Sequence, residues 1–386
     1  MKSPDDLRLA RAYLASVAEP PSPALVEFVD RVGPLEAAHL VRAGEVPDPV
    51  AAVTQARRHR DLGAAPSLSA ARALGARLVI PEDDEWPDAA FLAFPLSGEE
   101  HLAAPLALWA RGPARLGEVA ERSVAIVGAR AATDYGNHVA ADLGHGVAGR
   151  DCAVVSGAAY GIDGSAHKGA LAAGGVTVAV LACGVDRAYP AGHSRLIARI
   201  AESGLVVSEY PPGSVPGRHR FLVRNRLIAG LATGTVVVEA GWRSGSRRTA
   251  SDAALLGRPV MAVPGPVTSA LSVGCHHLLR EPGTIAVTRA EEVVEAIGRI
   301  GDDLAAPTLD GGPRRATDAL SPTALRVHEA LPRQAERDVT ALSAESGLPV
   351  HLVASALPEL ARSGLVERSG GGWRRTAAVE AARGGA

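Results

Sequence analysis

From Ser123 onward, short uninterrupted runs of apolar residues alternate with helical stretches, and this pattern constrains the fold more than any other feature of the chain. The runs are SVAIVGA (123–129), CAVVSGA (152–158), VTVAVLA (176–182), GLVVSEY (204–210), GTVVVEA (234–240), PVMAVPG (259–265) and TIAVTRA (284–290). A strand covered on one face only alternates apolar with polar residues. Continuous Val, Ile and Leu runs mark strands covered on both faces, as in a parallel sheet. With helices predicted over 136–149 and through 161–174, the expected fold is α/β: a Rossmann-like, doubly wound, mostly parallel sheet. Aromatic residues make up only 3% of the 386 residues, so Val, Leu and Ala must build the core.

Two smaller modules are expected at the flanks. Residues 5–43 carry apolar residues at helical spacing, broken at Glu19-Pro20-Pro21. They predict an N-terminal helical module over 1–65. A helix end near 71–78 and a short strand over 77–80 lead into the main domain, 66–300. The Asp-, Gly- and Pro-rich stretch 301–317 reads as a linker. Residues 318–380 then suggest a winged helix: SPTALRVHEALP, a helix–turn–helix with Gly347 at its turn and Pro349 in the next first helical turn, and a two-stranded wing ending in GGGWRR.

The formal net charge is −2, so any basic site must be local. Cys152, Cys183 and Cys275 are far apart and form no CxxC pair, which suggests neither a zinc site nor a redox dithiol. No metal, cofactor or catalytic set is expected. The charged, periodic N-terminus does not read as a signal peptide, and no apolar run approaches a membrane span, so a cytoplasmic location is expected.

In a sheet of this kind ligands bind beyond the carboxyl ends of the strands. There lie Gly128-Ala129-Arg130, Ser156-Gly157, Gly184 and Glu239-Ala240-Gly241, the last running on to Ser244-Gly245-Ser246. Glycine lets a backbone approach a ligand, and the following helix N-terminus favours an anion. Between Ser208 and Arg258, eight arginines (218, 220, 224, 226, 243, 247, 248 and 258) stand against Glu209, Glu239 and Asp252, a local balance of +5. A mononucleotide needs one or two such forks, so this many suggests a track for a polymeric phosphate backbone. A solvated, ion-paired surface is the plainer alternative. Of the aromatics beside these loops, Phe221 and Trp242 are the better candidates for stacking on bases. Tyr160 and Tyr210 read as local packing.

The ordered segments VAIVGAR (124–130), SGAAYGIDGSAH (156–167), LACGVDRAYP (181–190), SEYPPG (208–213), RNRLIAGL (224–231) and VVVEAGWRSGSRRTASDAALLGRPVMAVPG (236–265) resemble the DNA-processing protein A family, DprA or Smf. The resemblance covers about 75–300 and extends weakly to the flanks, the N-terminal module being similar to that family's SAM-like domain. It implies a non-catalytic protein that binds and protects single-stranded DNA, loads the RecA recombinase during DNA uptake, and forms a homodimer through its Rossmann domain. By motif position, the implied DNA contacts are Gly128, Arg130, Ser156, Gly157, Arg224, Asn225, Arg226, Ser244, Gly245, Ser246 and Thr249. Three positions depart from the family's pattern: Arg247 replaces an apolar residue and adds charge, His276 stands where the family has Asn, and Phe221-Leu222-Val223 replaces the usual FPxRNR lead-in.

Other readings remain open at this level. Thr249 and Asp252 mimic part of the loop of phosphoribohydrolase-like nucleotide enzymes, without its double glycine and glutamate. Ser156, Asp163 and His167 could make a hydrolase, although no GxSxG elbow surrounds Ser156. Gly128-Ala129-Arg130 is not the GxGxxG of a dinucleotide enzyme. The tail could read duplex DNA. However, its recognition helix, Val350–Ser363, offers only His351 and Arg362 and contains Pro358, which costs roughly 3 kcal/mol in a regular helix. The tail is therefore expected to contact protein, or to support DNA only through Arg368, Arg374 and Arg375.

Overall fold

The structure, a computed structural model, describes residues 4–58, 63–298, 303–305, 317 and 320–376. The chain divides into two compact units, Met1–Ala306 and Pro307–Ala386.

The first unit is built on a sheet of nine strands among the described residues: β1 (Ala76–Val79), β2 (Leu108–Arg111), β3 (Ser123–Val127), β4 (Ala153–Ser156), β5 (Thr177–Leu181), β6 (Leu205–Ser208), β7 (Gly234–Val237), β8 (Val260–Ala262) and β9 (Thr284–Ala286). Their order is β1-β2-β6-β5-β4-β3-β7-β8-β9, and β3 to β9 are parallel. The seven strands expected from the apolar runs are all present. Both faces are covered. Helices Arg218–Leu231 and Gly245–Leu255 lie over one, where Ala125, Val155, Val178 and Val207 share a core with Leu227 and Ile228. Helices Asp134–Ala148 and Ile162–Ala172 lie over the other, where Val124, Ile126 and Val154 meet Leu143 and Ala166.

Strand β2 has no counterpart in the sequence reading. Leu-Trp-Ala-Arg is only four residues long, yet it pairs antiparallel with both β1 and β6, so the edge of the sheet reverses direction. The N-terminal stretch 23–43 is two helices, Pro23–Val32 and Pro34–Ala43, because Pro34 lacks the N–H needed to continue a helix. Leu14, Val17, Leu25, Phe28 and Val41 form its core. Ion pairs join this module to the sheet region: Arg11 to Glu82 at 2.7 Å and Glu19 to Arg220 at 2.8 Å.

The second unit contains helices Pro322–Ala330, Val339–Ser346 and Val350–Arg362, followed by an antiparallel hairpin, Val366–Ser369 with Gly372–Arg375. This is the winged-helix layout. Gly347 ends the middle helix with φ +66°, a conformation that favours glycine. Pro349 is the N-cap of the last helix rather than part of its first turn. That helix runs through Pro358. Pro358 and Ala354 are both exposed, so water can satisfy the carbonyl that the ring leaves without a donor. Most of the predicted linker, 301–317, lies outside the described residues.

Candidate nucleic-acid interface

The strand order reverses between β3 and β7, where a Rossmann fold opens its ligand crevice. Here the protein fills that crevice itself. Glu239, at the end of β7, accepts hydrogen bonds from Thr133 N (2.9 Å) and Thr133 Oγ1 (2.6 Å), and its carbonyl accepts one from Ala129 N (2.7 Å). The N-terminus of the Asp134–Ala148 helix is thus occupied by a carboxylate, the charge that a nucleotide phosphate would otherwise bring. Asp163 does the same after β4 by accepting from Gly157 N at 3.1 Å. Ala158 in that loop has φ +54°.

The N-terminus of the Gly245–Leu255 helix is different. Among the described residues its side-chain cap is the Ser244 hydroxyl, accepting from Ser246 N at 3.4 Å, and Gly245 is exposed. Asn225 Nδ2 donates to Gly245 O at 3.3 Å and fixes this turn against the Arg218–Leu231 helix. Ser246 and Thr249 are buried behind it.

The strand-end glycines answer to internal packing. A Cβ on Gly128 would collide with Ile162 and Glu239 O, and one on Gly157 would collide with the Arg224 guanidinium. Ser156 is fully buried and donates to Ile126 O at 2.6 Å. Two of the arginines read as phosphate contacts also lie inside. Arg224 is 4% exposed and donates to Gly157 O (2.9 Å) and to Val180 O. Burial drives its pKa down to about 10, with the Asp163 charge opposing. Arg226 is 1% exposed and pairs with Glu209 at 2.7 Å. The arginine count of the stretch therefore overstates its surface charge. Arg220 is held by Glu19, Arg258 donates to Ala90 O, and Arg248 lies 3.6 Å from Asp252. Arg218 and Arg243 are exposed.

What remains on the rim is a pair of cation–aromatic clusters. Exposed Arg130 lies over the Phe221 ring at 5.2 Å, and Phe221 is 5.3 Å from the ring of exposed Tyr189. Four residues along the same helix, Asn225 reaches the open turn at Gly245. Beyond it Arg247 lies 5.2 Å over Trp242, whose other neighbour is His277 at 5.4 Å. Trp242 is 59% exposed. Tyr189 and His277 were missed in the sequence. Tyr189 lies just before the end of LACGVDRAYP beyond β5, where the strand-end rule could have found it, while His277 follows His276 in a segment with no strand-end signal. His276 itself is turned to Gly265 O at 3.0 Å. Tyr210 is buried as expected, but Tyr160 is exposed, with its ring 4.8 Å from His193.

Neither enzyme reading gains a working geometry. His167 is fully buried with Nδ1 2.7 Å from Thr177 Oγ1, and that hydroxyl donates to Val154 O, so the histidine donates to Thr177 while the Ser156 hydroxyl donates to Ile126 O. Asp252 is 1% exposed and held by His101 at 3.2 Å. No group of His, Cys, Asp or Glu fit to hold a metal occurs among the described residues, and no described helix is long and apolar enough to cross a membrane.

Residues 77–298 match the family model of DNA recombination-mediator protein A. A protein of Mycobacterium tuberculosis bearing the DprA name is 52% identical over 387 residues, covering 99% of this chain and 98% of that one. The DNA processing protein DprA of Streptococcus pneumoniae is 41% identical over 201 residues, covering 52% of this chain and 70% of that one. The X-ray structure of S. pneumoniae DNA processing protein A superposes with a TM-score of 0.63 at 30% identity, covering 78% of this chain and all of that one. With the family model matched over more than half of its length and a relative matched almost end to end, the chain belongs to the DNA recombination-mediator protein A family, DprA/Smf.

Proposed function

We propose that the protein binds single-stranded DNA along the carboxyl rim of its sheet and, as a homodimer in the cytoplasm, protects the strand and hands it to the RecA recombinase. The observation that carries the DNA reading is the pair of cation–aromatic clusters, Arg130–Phe221–Tyr189 and Arg247–Trp242–His277, each with an exposed ring at Tyr189 or Trp242, and with the open helix N-terminus at Gly245 tied between their elements. Exposed rings stack on bases that no complementary strand covers, so the rim favours single strands over duplex. The Gly245 turn and the exposed guanidinium groups of Arg218 and Arg243 supply phosphate contacts without reading sequence.

Under this reading the site residues divide in two. Arg130, Phe221, Trp242, Ser244, Gly245 and Arg247 touch DNA. Gly128, Ser156, Gly157, Arg224, Arg226, Ser246 and Thr249 hold the rim in shape, with Asn225 joining the two groups. The test is a salt titration of binding to single-stranded and duplex oligonucleotides by the native protein and by Arg130→Ala. The native protein should prefer the single strand and lose affinity steeply with salt, and the variant should bind more weakly with a shallower slope. Equal affinity for duplex would refute the stacking rim. The RecA step is tested by whether the protein accelerates RecA filament formation on strands already coated with a single-strand-binding protein.

A further inference from the structure

A groove of about 630 Å³ runs between the helix Pro23–Val32 and the segment 86–106, away from the strand-end loops. Its walls are apolar: Val26, Trp86, Phe91, Phe94, Leu102 and Leu106. Beside it, Leu92 and Leu96, one turn apart on the Asp88–Leu96 helix, are 62% and 78% exposed. Single exposed leucines are ordinary, but two in line along the lip of an apolar groove extend a contact surface.

The rim of this groove is acidic. Glu27, Asp30, Asp88, Glu99 and Glu100 are all exposed around it, and the cation in its lining, Arg11, is already bonded to Glu82. Asp30 makes no ion pair among the described residues, and partial burial raises its pKa, with only the Arg11 charge opposing. Glu27 lies 3.7 Å from Arg31 and Glu99 3.6 Å from His101, whereas no ion pair among the described residues balances Asp30, Asp88 or Glu100. A nucleic acid would be repelled here, and an uncharged partner would leave those three carboxylates without compensation.

We propose that the groove is a docking site for a partner protein, which inserts an amphipathic segment with leucine-like anchors flanked by lysine or arginine. The apolar walls take the anchors, and the acidic rim selects the flanking cations and excludes DNA.

The test uses the full chain and a fluorescent 14-residue helical peptide with Leu at positions i, i+3 and i+7 and Lys elsewhere, followed by anisotropy. Binding should weaken as salt rises. It should weaken by about five-fold or more in Leu92→Ser and in the pair Asp30→Asn with Glu100→Gln, while binding of single-stranded DNA stays as in the native protein. These positions are exposed, so the variants should fold. The proposal is overturned if the peptide does not bind, if it binds the variants equally, or if a Lys-to-Glu version binds equally. It also fails if Leu92→Ser changes the oligomeric state by sedimentation, since the occupant would then be a second copy of the chain.

Discussion

The carboxyl rim of the sheet and the last helix of the C-terminal unit are the two places where this chain could be expected to meet DNA, and they are built on opposite terms. On the rim, Arg130 is exposed and, among the described residues, lies over the Phe221 ring with no ion pair. In the C-terminal unit, Arg374 is paired with Glu367 at 2.6 Å, and Arg375 donates to the His328 and Glu329 carbonyls. Arg368 alone of the three wing arginines is left to solvent. Charge in a sequence is thus not charge at a surface. The arginine-rich stretch 208–258 makes the same point within one domain, because Arg224 and Arg226 are buried in the fold while Arg218 and Arg243 stay exposed.

The largest expected effect tests that division. Arg226→Ala removes one partner of the buried pair with Glu209 and leaves an uncompensated carboxylate. It should cost about 3–5 kcal/mol of stability in urea unfolding. If stability is unchanged and DNA binding is lost, Arg226 belongs to the interface after all. Next in size, Phe221→Ala and Trp242→Ala should each cost about 1–3 kcal/mol of single-strand affinity, read by anisotropy at fixed salt, with stability almost unaltered. Were only one of them to matter, the strand would follow one cluster rather than both.

The fold was legible because six of the seven parallel strands are buried on both faces and announce it in continuous apolar runs. Strand β2 was not, since four residues placed between antiparallel neighbours carry no such run. Within the site, Phe221, Trp242 and Arg130 stood out as rare rings or cations beside strand ends, and the structure puts them on the rim. Arg224 and Arg226 could not be told from surface arginines by sequence, because their partners, Gly157 O, Val180 O and Glu209, come from other strands. The strand-end glycines misled for a related reason. A glycine that admits a guanidinium or an isoleucine side chain looks the same in a sequence as one that admits a phosphate.

Acid should separate the two units. Burial pushes His167, on the helix Ile162–Ala172, down to about 3 from an ordinary 6.5, with the His193 and Arg224 charges adding to it. The unfolded chain therefore binds a proton that the folded one refuses. This contribution is complete above pH about 6.5 and declines below it by up to about 1.4 kcal/mol per pH unit. His167→Asn, which keeps a donor for Thr177, should flatten the fall in stability between pH 6.5 and 4. Identical profiles for the two proteins would show that His167 is not held neutral. In the C-terminal unit His328 is lowered by burial but is only half-buried, so that unit should respond more weakly.

The smallest expected effect concerns the part of the chain that most resembles a DNA reader. The third helix of the C-terminal unit turns Val353, Ala356, Leu357 and Leu360 into its own core. A helix that reads the major groove presents several side chains able to bond base edges, and this one presents His351 and Arg362. Arg362 is further occupied, with its Nε 3.4 Å from Pro358 O. Removing residues 318–386 should therefore change single-strand affinity by less than about three-fold and reduce the salt slope by no more than about one phosphate contact, the share that Arg368 could supply. A larger loss of slope would move phosphate contacts into the tail. A large loss of affinity at constant slope would instead mean that the tail stacks on bases, and its half-buried Trp373 would be the first residue to replace.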